Sequence, residues 1–425
     1  MGVAVLLGTL LLTLIIGMPI AFGIGVASLA YILFDGSVSL VIVPQMIANG
    51  LDSYNVIAIP FFILAAQIMN RGGVTDRLMD FASTIVGHLK GGLAHVNILT
   101  SMLFAGMSGS AVADSAGLGQ ILIPTMKKKG YGADYSAAVT AASSTIGPII
   151  PPSVPIVIYG ILAETSIGQL FLAGAVPGFV MGLLMLVLSY VIASRKGYPQ
   201  EDKPTMAHVG RAVVRVIPAM LTPVIILGGM WSGIFSPTEA AAVAVGYAIL
   251  QGFAMGDLSF GTLWDAIKSA TIYSAIIMLI VASANLFGWI LSTEQIPVRF
   301  TGWLLGITEN KIIILLILNV FLLIAGCFME ILAIMLMTVP VFMPVVLQLG
   351  IDPVHFGVIM VLNLMVGLLS PPFGLSLYIA QDIAEIPYAA AVRAILPFIA
   401  LILVLLAVIT YVPDFVLFLP RLIMG

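Results

Sequence analysis

Long apolar runs, separated by short segments of glycine, proline and charge, fill most of this 425-residue chain. Charged residues occupy 8% of positions and apolar residues 61%, whereas a soluble protein needs charge at about a quarter of its positions. We therefore predict an all-α polytopic membrane protein, because helices satisfy their own backbone hydrogen bonds in lipid. The net charge of −3 gives no support for nucleic-acid binding, and the single cysteine excludes an internal disulfide.

The apolar runs predict membrane helices with boundaries set by glycine, proline and charge. The first run has no basic n-region, so we expect a membrane span there and no signal peptide. Ser236, Pro237 and Glu239 form an N-terminal capping pattern for one helix. The expected helices lie near 3–17, 18–34, 52–70, 133–165, 168–194, 212–234, 237–254, 266–292, 353–383 and 388–412.

Two further apolar segments, 92–126 and 311–348, each have room for two short helices. Small residues interrupt each segment, at 105–110 and at 325–327. Because each half is short for a hydrocarbon core of about 30 Å, we predict re-entrant helical hairpins. Pairs of ordinary spans are the alternative.

Basic residues indicate the side from which the first hairpin enters. Lys90 precedes it and Lys127–Lys129 follow it, so both ends lie on one side, which the positive-inside rule makes cytoplasmic. Arg195 and Lys196 close helix 168–194 on the same side. The hydrophilic connector 194–211 then divides the chain into halves.

The two halves repeat at an offset of 220 residues. Glycines and prolines recur at this offset without a gap, as Gly106/Gly326, Pro124/Pro344, Gly130/Gly350, Gly147/Gly367, Pro151-Pro152/Pro371-Pro372 and Pro177/Pro397. A unit of five crossings and one hairpin crosses an odd number of times, so the second copy must be inverted. We predict two inverted repeats, each with a re-entrant hairpin and a broken helix, as in many secondary transporters.

Each predicted hairpin follows a short amphipathic segment, at 73–90 and at 295–308. Leu78, Phe81 and Ile85 share the apolar face of the first segment. Two interpretations stay open. The segments are ordinary interfacial helices, or they are arms that link a fixed scaffold to mobile hairpins.

Proline and glycine predict a break in helix 133–165 and another in helix 353–383. The breaks are 143–153 and 366–374. Freed carbonyls at such a break can coordinate Na⁺, and the N-terminus of the second half-helix attracts an anion. A simple proline kink is the alternative for each.

The hairpin tips hold the remaining polar candidates. Ser108 and Ser110 offer hydroxyls to a cation, and Asp114 follows Ser110 by one turn. Glu330 lies one turn past Gly326 at the second tip. A carboxylate inside a membrane segment is a functional candidate, although a neighbouring helix can also satisfy it.

Three stretches together resemble the large membrane subunit of tripartite ATP-independent periplasmic (TRAP) transporters. They are 227–241 (LGGMWSGIFSPTEAA), 104–114 (FAGMSGSAVAD) and 147–153 (GPIIPPS), and the resemblance covers essentially the whole chain. It implies an elevator-type member of the ion transporter superfamily in the bacterial inner membrane, which imports organic acids such as sialic acid or C4-dicarboxylates with sodium. It also implies a small four-helix membrane subunit and a periplasmic substrate-binding protein as partners. The chain resembles the type in which the small subunit is a separate protein.

The resemblance implies a division into scaffold and transport domain. Residues 1–90 would hold scaffold helices and the first arm, 91–166 the first half of the transport domain, 167–310 scaffold helices, the connector 194–211 and the second arm, 311–386 the second half of the transport domain, and 387–425 the last helix. Na⁺ is the expected coupling ion, with no other cofactor and no transition metal. No P-loop, HExxH or GxSxG motif occurs, so we expect no enzymatic activity.

The resemblance also implies two sodium sites, one at each hairpin tip with its helix break. The expected sodium ligands are Ser108, Gly109, Ser110, Ser143, Ser144, Thr145, Gly147, Pro148, Gly326, Met329, Gly367 and Ser370. The expected substrate contacts are Asp114, Pro151, Ser153, Glu330, Asn363, Pro371 and Gly374. The second tip has no hydroxyl, so its ligands would be mostly carbonyls. A proton-coupled carrier, with Asp114 or Glu330 titrating, is the alternative.

Overall fold

The computed structural model describes residues 1–424, apart from the side chain of Ser108. Within these residues all regular structure is helical. The α-helices of the first half are α1 Gly2–Ile15, α2 Ile20–Asp35, α3 Ile42–Leu51, α4 Ala58–Arg71, α5 Val74–Val86, α6 Gly92–Ser108, α7 Ala111–Lys128, α8 Ala133–Ser144, α9 Val154–Leu162 and α10 Ile167–Lys196. Those of the second half are α11 Met206–Trp231, α12 Pro237–Ala254, α13 Phe260–Thr293, α14 Ile296–Ile307, α15 Lys311–Phe328, α16 Ile331–Gln348, α17 Pro353–Gly367, α18 Leu375–Ala384, α19 Tyr388–Tyr411 and α20 Pro413–Met424.

The helices begin where the sequence offers caps. The Ser236 side chain accepts a hydrogen bond from the Glu239 amide, and the Glu239 carboxylate accepts one from the Ser236 amide, so the predicted capping box is confirmed. Ser110 and Ser153 likewise cap α7 and α9 through their hydroxyls. The serine residues that precede these helices therefore stabilise their first turns.

Most predicted helices are present, with three corrections. Helix α3 was not predicted; it and the helical segment Tyr54–Arg71 meet at 62°. The expected single last helix is two helices, α19 and α20, because Pro413 has no amide hydrogen to continue α19. The connector between α10 and α11 shortens to 197–205, because both helices extend past their predicted ends.

Six helices in the described part of the chain are long and apolar enough to cross a membrane: α10, α11, α13, α15, α16 and α19. A seventh forms if the bent pair Ile42–Leu51 and Tyr54–Arg71 is one span. Helices α15 and α16 have 18 residues each, which corresponds to about 27 Å. Each helix of the second hairpin is thus long and apolar enough to be an ordinary span, and the re-entrance of this hairpin stays a prediction.

Helix bounds reproduce the 220-residue offset. Helix α7 spans Ala111–Lys128 and α16 spans Ile331–Gln348. Helices α6 and α15 end at Ser108 and Phe328, and α8 and α17 begin at Ala133 and Pro353, again 220 residues apart. The two copies thus share the length of α7 and α16 and the neighbouring helix boundaries, while the inversion of one copy stays a prediction.

The hairpins and broken helices of both copies pack together in one core. Helix α8 contacts α7 and α18, and α17 contacts α15 and α16. Helix α10 approaches them closely through three glycines: a Cβ at Gly174, Gly178 or Gly182 would lie within 3 Å of Ile149, Ile150 or Met102. A separate apolar cluster joins α1, α2 and α13.

Tyr159 joins the two copies, because its buried hydroxyl donates to the Pro353 carbonyl at 2.7 Å. We expect Tyr159→Phe to lower the free energy of unfolding by about 1 kcal/mol, the usual net value of one such hydrogen bond. Thermal unfolding in detergent measures this, with Tyr411→Phe, at an exposed position, as the matched control. Equal unfolding temperatures for the two variants would contradict a stabilising role for this bond.

Candidate functional site

A cavity of about 460 Å³ lies where the two hairpin tips face α4, α5 and α13. The first tip contributes Gly109, Ser110 and the start of α7, and the second tip contributes Glu330 and the start of α16. Pro148 and Leu368 bring in both helix breaks. This volume lies within the range of ligand pockets, which is roughly 300–1,000 Å³. The cavity is thus the one place among those described where both tips and both breaks meet the surrounding helices.

The first tip rests on the first helix break. Gly109 has φ +59°, and a Cβ there would lie 3.1 Å from the Val154 nitrogen and 3.3 Å from the Pro152 carbonyl oxygen. Ser153 lies beneath this contact, buried, with its hydroxyl donating to the Pro148 carbonyl at 2.5 Å. Glycine is required here because L-residues rarely adopt this φ and because the space is occupied.

Behind the first tip lies a buried group of hydroxyls. The hydroxyls of Ser144 and Ser115 are 2.6 Å apart, and the Ser143 hydroxyl donates to the Asn97 side-chain carbonyl at 3.1 Å. Thr145 is also buried, and its hydroxyl donates to the carbonyl of Ala142. The group lies at the end of α8, where the helix break begins.

Asp114 belongs to the same buried region. Its side chain has no exposure, and a Cβ on Gly147 would lie 2.6 Å from its Oδ2 atom. Only a residue without a side chain at 147 leaves room for this carboxylate beside the break. Carboxylate, hydroxyl and backbone carbonyl oxygens thus lie in one buried region. Such oxygens are hard ligands that suit a small cation.

The second tip rests on the second break through bare backbone. A Cβ on Gly367 would lie 2.5 Å from the Gly326 carbonyl carbon. Ser370 is half-buried, and its hydroxyl donates to the Val366 carbonyl at 2.8 Å. Met329 has extended backbone between α15 and α16 and is half-buried. Main-chain groups therefore predominate at this tip.

The Glu330 side chain caps α16. Its Oε2 atom accepts hydrogen bonds from the amides of Leu332, at 2.9 Å, and Ala333, at 3.4 Å. The side chain also lines the cavity. A carboxylate at this end interacts favourably with the helix dipole.

The predicted site residues fall into separate groups. Gly109, Ser110, Pro148 and Glu330 line the cavity. The Ser108 side chain lies outside the described part of the structure. Buried beside the tips and breaks are Ser143, Ser144, Thr145, Gly147, Pro151, Ser153, Gly326, Gly367 and Gly374, whereas Pro371 is exposed.

Of the expected substrate contacts, only Glu330 lines the cavity. Asp114 is buried against Gly147, and Ser153 is buried beneath the first tip. Asn363 is buried in α17, where its amide donates to the Asn319 side-chain carbonyl at 2.7 Å. Ser153 is held by its own helix break and Asn363 by the neighbouring helix α15, and none of these three residues is among the described residues that line the cavity.

Sequence reasoning missed the opposite wall of the cavity. Gln67 and Asn70 of α4 and Thr75 and Asp76 of α5 line it. Gln67 and Asn70 are three residues apart, so they share one face of an otherwise apolar helix. That spacing of two amides in an apolar run is the signal that predicts a polar cavity wall.

The sequence matches a known protein family over most of its length. The profile described as "Tripartite ATP-independent periplasmic transporter, DctM component" matches residues 7–415. The chain belongs to this family. The TRAP large permease is accordingly a multi-pass protein of the bacterial inner membrane, and its curated relatives are named as transporter permease subunits.

Several relatives of this TRAP permease are similar over nearly its whole length. The sialic acid TRAP transporter large permease protein SiaM of Vibrio cholerae is 42% identical over 96% of each chain. The isethionate TRAP transporter permease protein DctMQ of Oleidesulfovibrio alaskensis is 42% identical over 97% of this chain and 66% of its own length. The C4-dicarboxylate TRAP transporter large permease protein DctM of Pseudomonas aeruginosa is 41% identical over 87% of each.

The fold also matches a solved transporter structure. The YdaH transporter of Alcanivorax borkumensis superposes with a TM-score of 0.63 over 86% of each chain, at 16% sequence identity. At that identity the match concerns the fold alone. The resemblance to the TRAP large subunit and the predicted all-helical membrane fold are both confirmed.

Proposed function

We propose that this TRAP permease is the transport-carrying subunit of a sodium-coupled organic acid importer that works by an elevator motion. The observation that carries the proposal is the cavity, because both hairpin tips border it on one side and α4 and α5 border it on the other. A substrate held there contacts the hairpins and the surrounding helices together. Movement of the hairpins would then change the side to which the substrate is open.

The first sodium ion is assigned to the buried region behind the first tip. Asp114, the hydroxyls of Ser115 and Ser144, and the carbonyls released at the break after α8 supply oxygen ligands in one place. This assignment moves Asp114 from a substrate contact to a cation ligand. A second sodium ion is proposed at the Gly326–Gly367 contact, with carbonyls as its ligands.

The mobile body comprises α6–α9 and α15–α18, and we extend it to α10. The close glycine contacts of α10 with Ile149, Ile150 and Met102 join it to the hairpin and the broken helix. Helix α19 contacts α8 and α17 and belongs to the same body. Helices α5 and α14 precede the hairpins in both copies and serve as the arms.

The partners follow from the family. A TRAP large permease is expected to work with a small membrane subunit and a periplasmic substrate-binding protein, which delivers the acid. The names of its relatives point to sialic acid, isethionate or C4-dicarboxylates as cargo classes. We propose an organic acid of this range as the substrate.

Uptake into liposomes that contain the permease and its small subunit, with the binding protein outside, tests the coupling ion. We expect replacement of external Na⁺ by choline, at fixed pH and membrane potential, to reduce uptake at least tenfold. A proton-coupled carrier would instead keep its uptake in choline and respond to an imposed pH gradient. Unchanged uptake in choline would falsify sodium coupling.

A further inference from the structure

Acidic side chains line the cavity. Its described lining contains two carboxylates, Asp76 and Glu330, and no lysine, arginine or histidine. The other polar side chains of the lining are neutral, namely Gln67, Asn70, Thr75, Ser110 and Tyr273. An anionic substrate therefore meets acidic groups in the cavity that is proposed to hold it.

The nearest basic residues along α4 and α5 have other partners. Arg71, next to Asn70, donates to the Ser269 hydroxyl at 2.9 Å. Arg77, next to Asp76, forms an ion pair with Asp257. Both guanidinium groups are thus held by the α12–α13 region, so that neither neutralises a carboxylate at the cavity wall.

Glu330 already occupies the anion-binding position of the second tip. Its carboxylate accepts hydrogen bonds from the first amides of α16, which are the groups that a substrate carboxylate would use. A second carboxylate at this position would compete with Glu330 for these amides, and repulsion between two ionised carboxylates is stronger in a partly enclosed cavity than in water. The first tip differs, because the neutral hydroxyl of Ser110 caps α7 there.

We infer that the cavity selects acids with a single anionic group and with hydroxyl or amide donors that face Asp76 and Glu330. This inference rests on the proposed function, because it takes the cavity as the substrate site. The single anionic group lies toward the first tip, and the donors pair with Asp76 on α5 and with Glu330 at the second tip. A short dicarboxylate is disfavoured, since its second carboxylate approaches Asp76 or Glu330.

Binding to the purified full-length permease with its small subunit, in sodium-containing buffer, tests the selection without the binding protein. The probes are hydroxylated single anions, sialic acid and isethionate, against the dicarboxylates succinate and malate, and the readout is the ligand concentration that half-maximally raises the unfolding temperature. We expect at least one single anion to bind tenfold or more tightly than either dicarboxylate. Equal or tighter binding of a dicarboxylate would overturn the inference while leaving the cavity as a substrate site.

Two variants test whether the carboxylates cause the selection. We expect Glu330→Gln and Asp76→Asn each to tighten dicarboxylate binding at least threefold. Asp80→Asn is the matched control, because Asp80 lies on the same helix as Asp76 but faces His208, at 3.4 Å, and not the cavity. Unchanged dicarboxylate binding in both variants overturns the inference. If no acid of either class stabilises the wild type, the proposed function fails with it.

Discussion

Asp114→Asn is expected to raise the sodium concentration for half-maximal uptake at least tenfold. The carboxylate is fully buried next to Gly147, in the helix break that follows Ser144. Asparagine has nearly the same shape, so the change removes the negative charge and leaves the packing. A tenfold loss corresponds to about 1.4 kcal/mol of binding free energy, a modest value for a buried charge that faces a cation.

Sodium titration of uptake and of thermal stability measures this effect. We expect the stabilisation by sodium to weaken in Asp114→Asn, while the unfolding temperature in choline stays close to that of the wild type. Asp134→Asn provides the control, since that carboxylate lies near the start of α8 and faces Lys196 at 3.9 Å. An unchanged sodium dependence in Asp114→Asn would remove Asp114 from the sodium site.

Gly367→Ala is expected to abolish most uptake and to destabilise the protein. The new Cβ would lie 2.5 Å from the Gly326 carbonyl carbon and 2.6 Å from its Cα atom, so backbone must move. Overpacking of this kind costs about 1–3 kcal/mol. The displaced atoms belong to the second tip and its helix break, which the proposed mechanism requires to stay together.

The matched control for this substitution is Gly228→Ala in α11, where a Cβ would meet no atom within 4 Å. Alanine there gains up to about 1 kcal/mol of helix propensity, so its stability should stay equal or rise. Thermal unfolding separates the two variants, and liposome uptake measures the functional loss. Wild-type uptake by Gly367→Ala would show that the tip and the break tolerate separation.

The sequence predicts the architecture because its strongest signals are local. Hydropathy locates the helices, and the glycines and prolines spaced at 220 residues locate both helix breaks. Helix α3 escaped prediction because it contains Pro44 and Gly50, which the sequence pattern assigns to a loop. Local sequence signals therefore suffice to predict most helices and both helix breaks. They fail where proline or glycine lies inside a helix, as in α3.

The cavity was less predictable because it depends on contacts between distant segments. Depth and polarity in the sequence select Asp114, Ser153 and Asn363, but all three are buried and none is among the described residues that line the cavity. Gln67 and Asp76 reach it only because α4 and α5 pack opposite the hairpin tips. Which polar side chains line the cavity depends on how distant helices pack, and residue spacing along the chain does not predict this packing.

The second hairpin tip also carries the single cysteine of the chain. Cys327 follows Gly326 directly, is half-buried, and donates its thiol hydrogen to the Leu323 carbonyl at 3.1 Å. A spectroscopic probe can therefore be attached at this tip in the native protein, without prior removal of other thiols. The rate of thiol labelling, compared with and without sodium, measures whether sodium changes the accessibility of this tip.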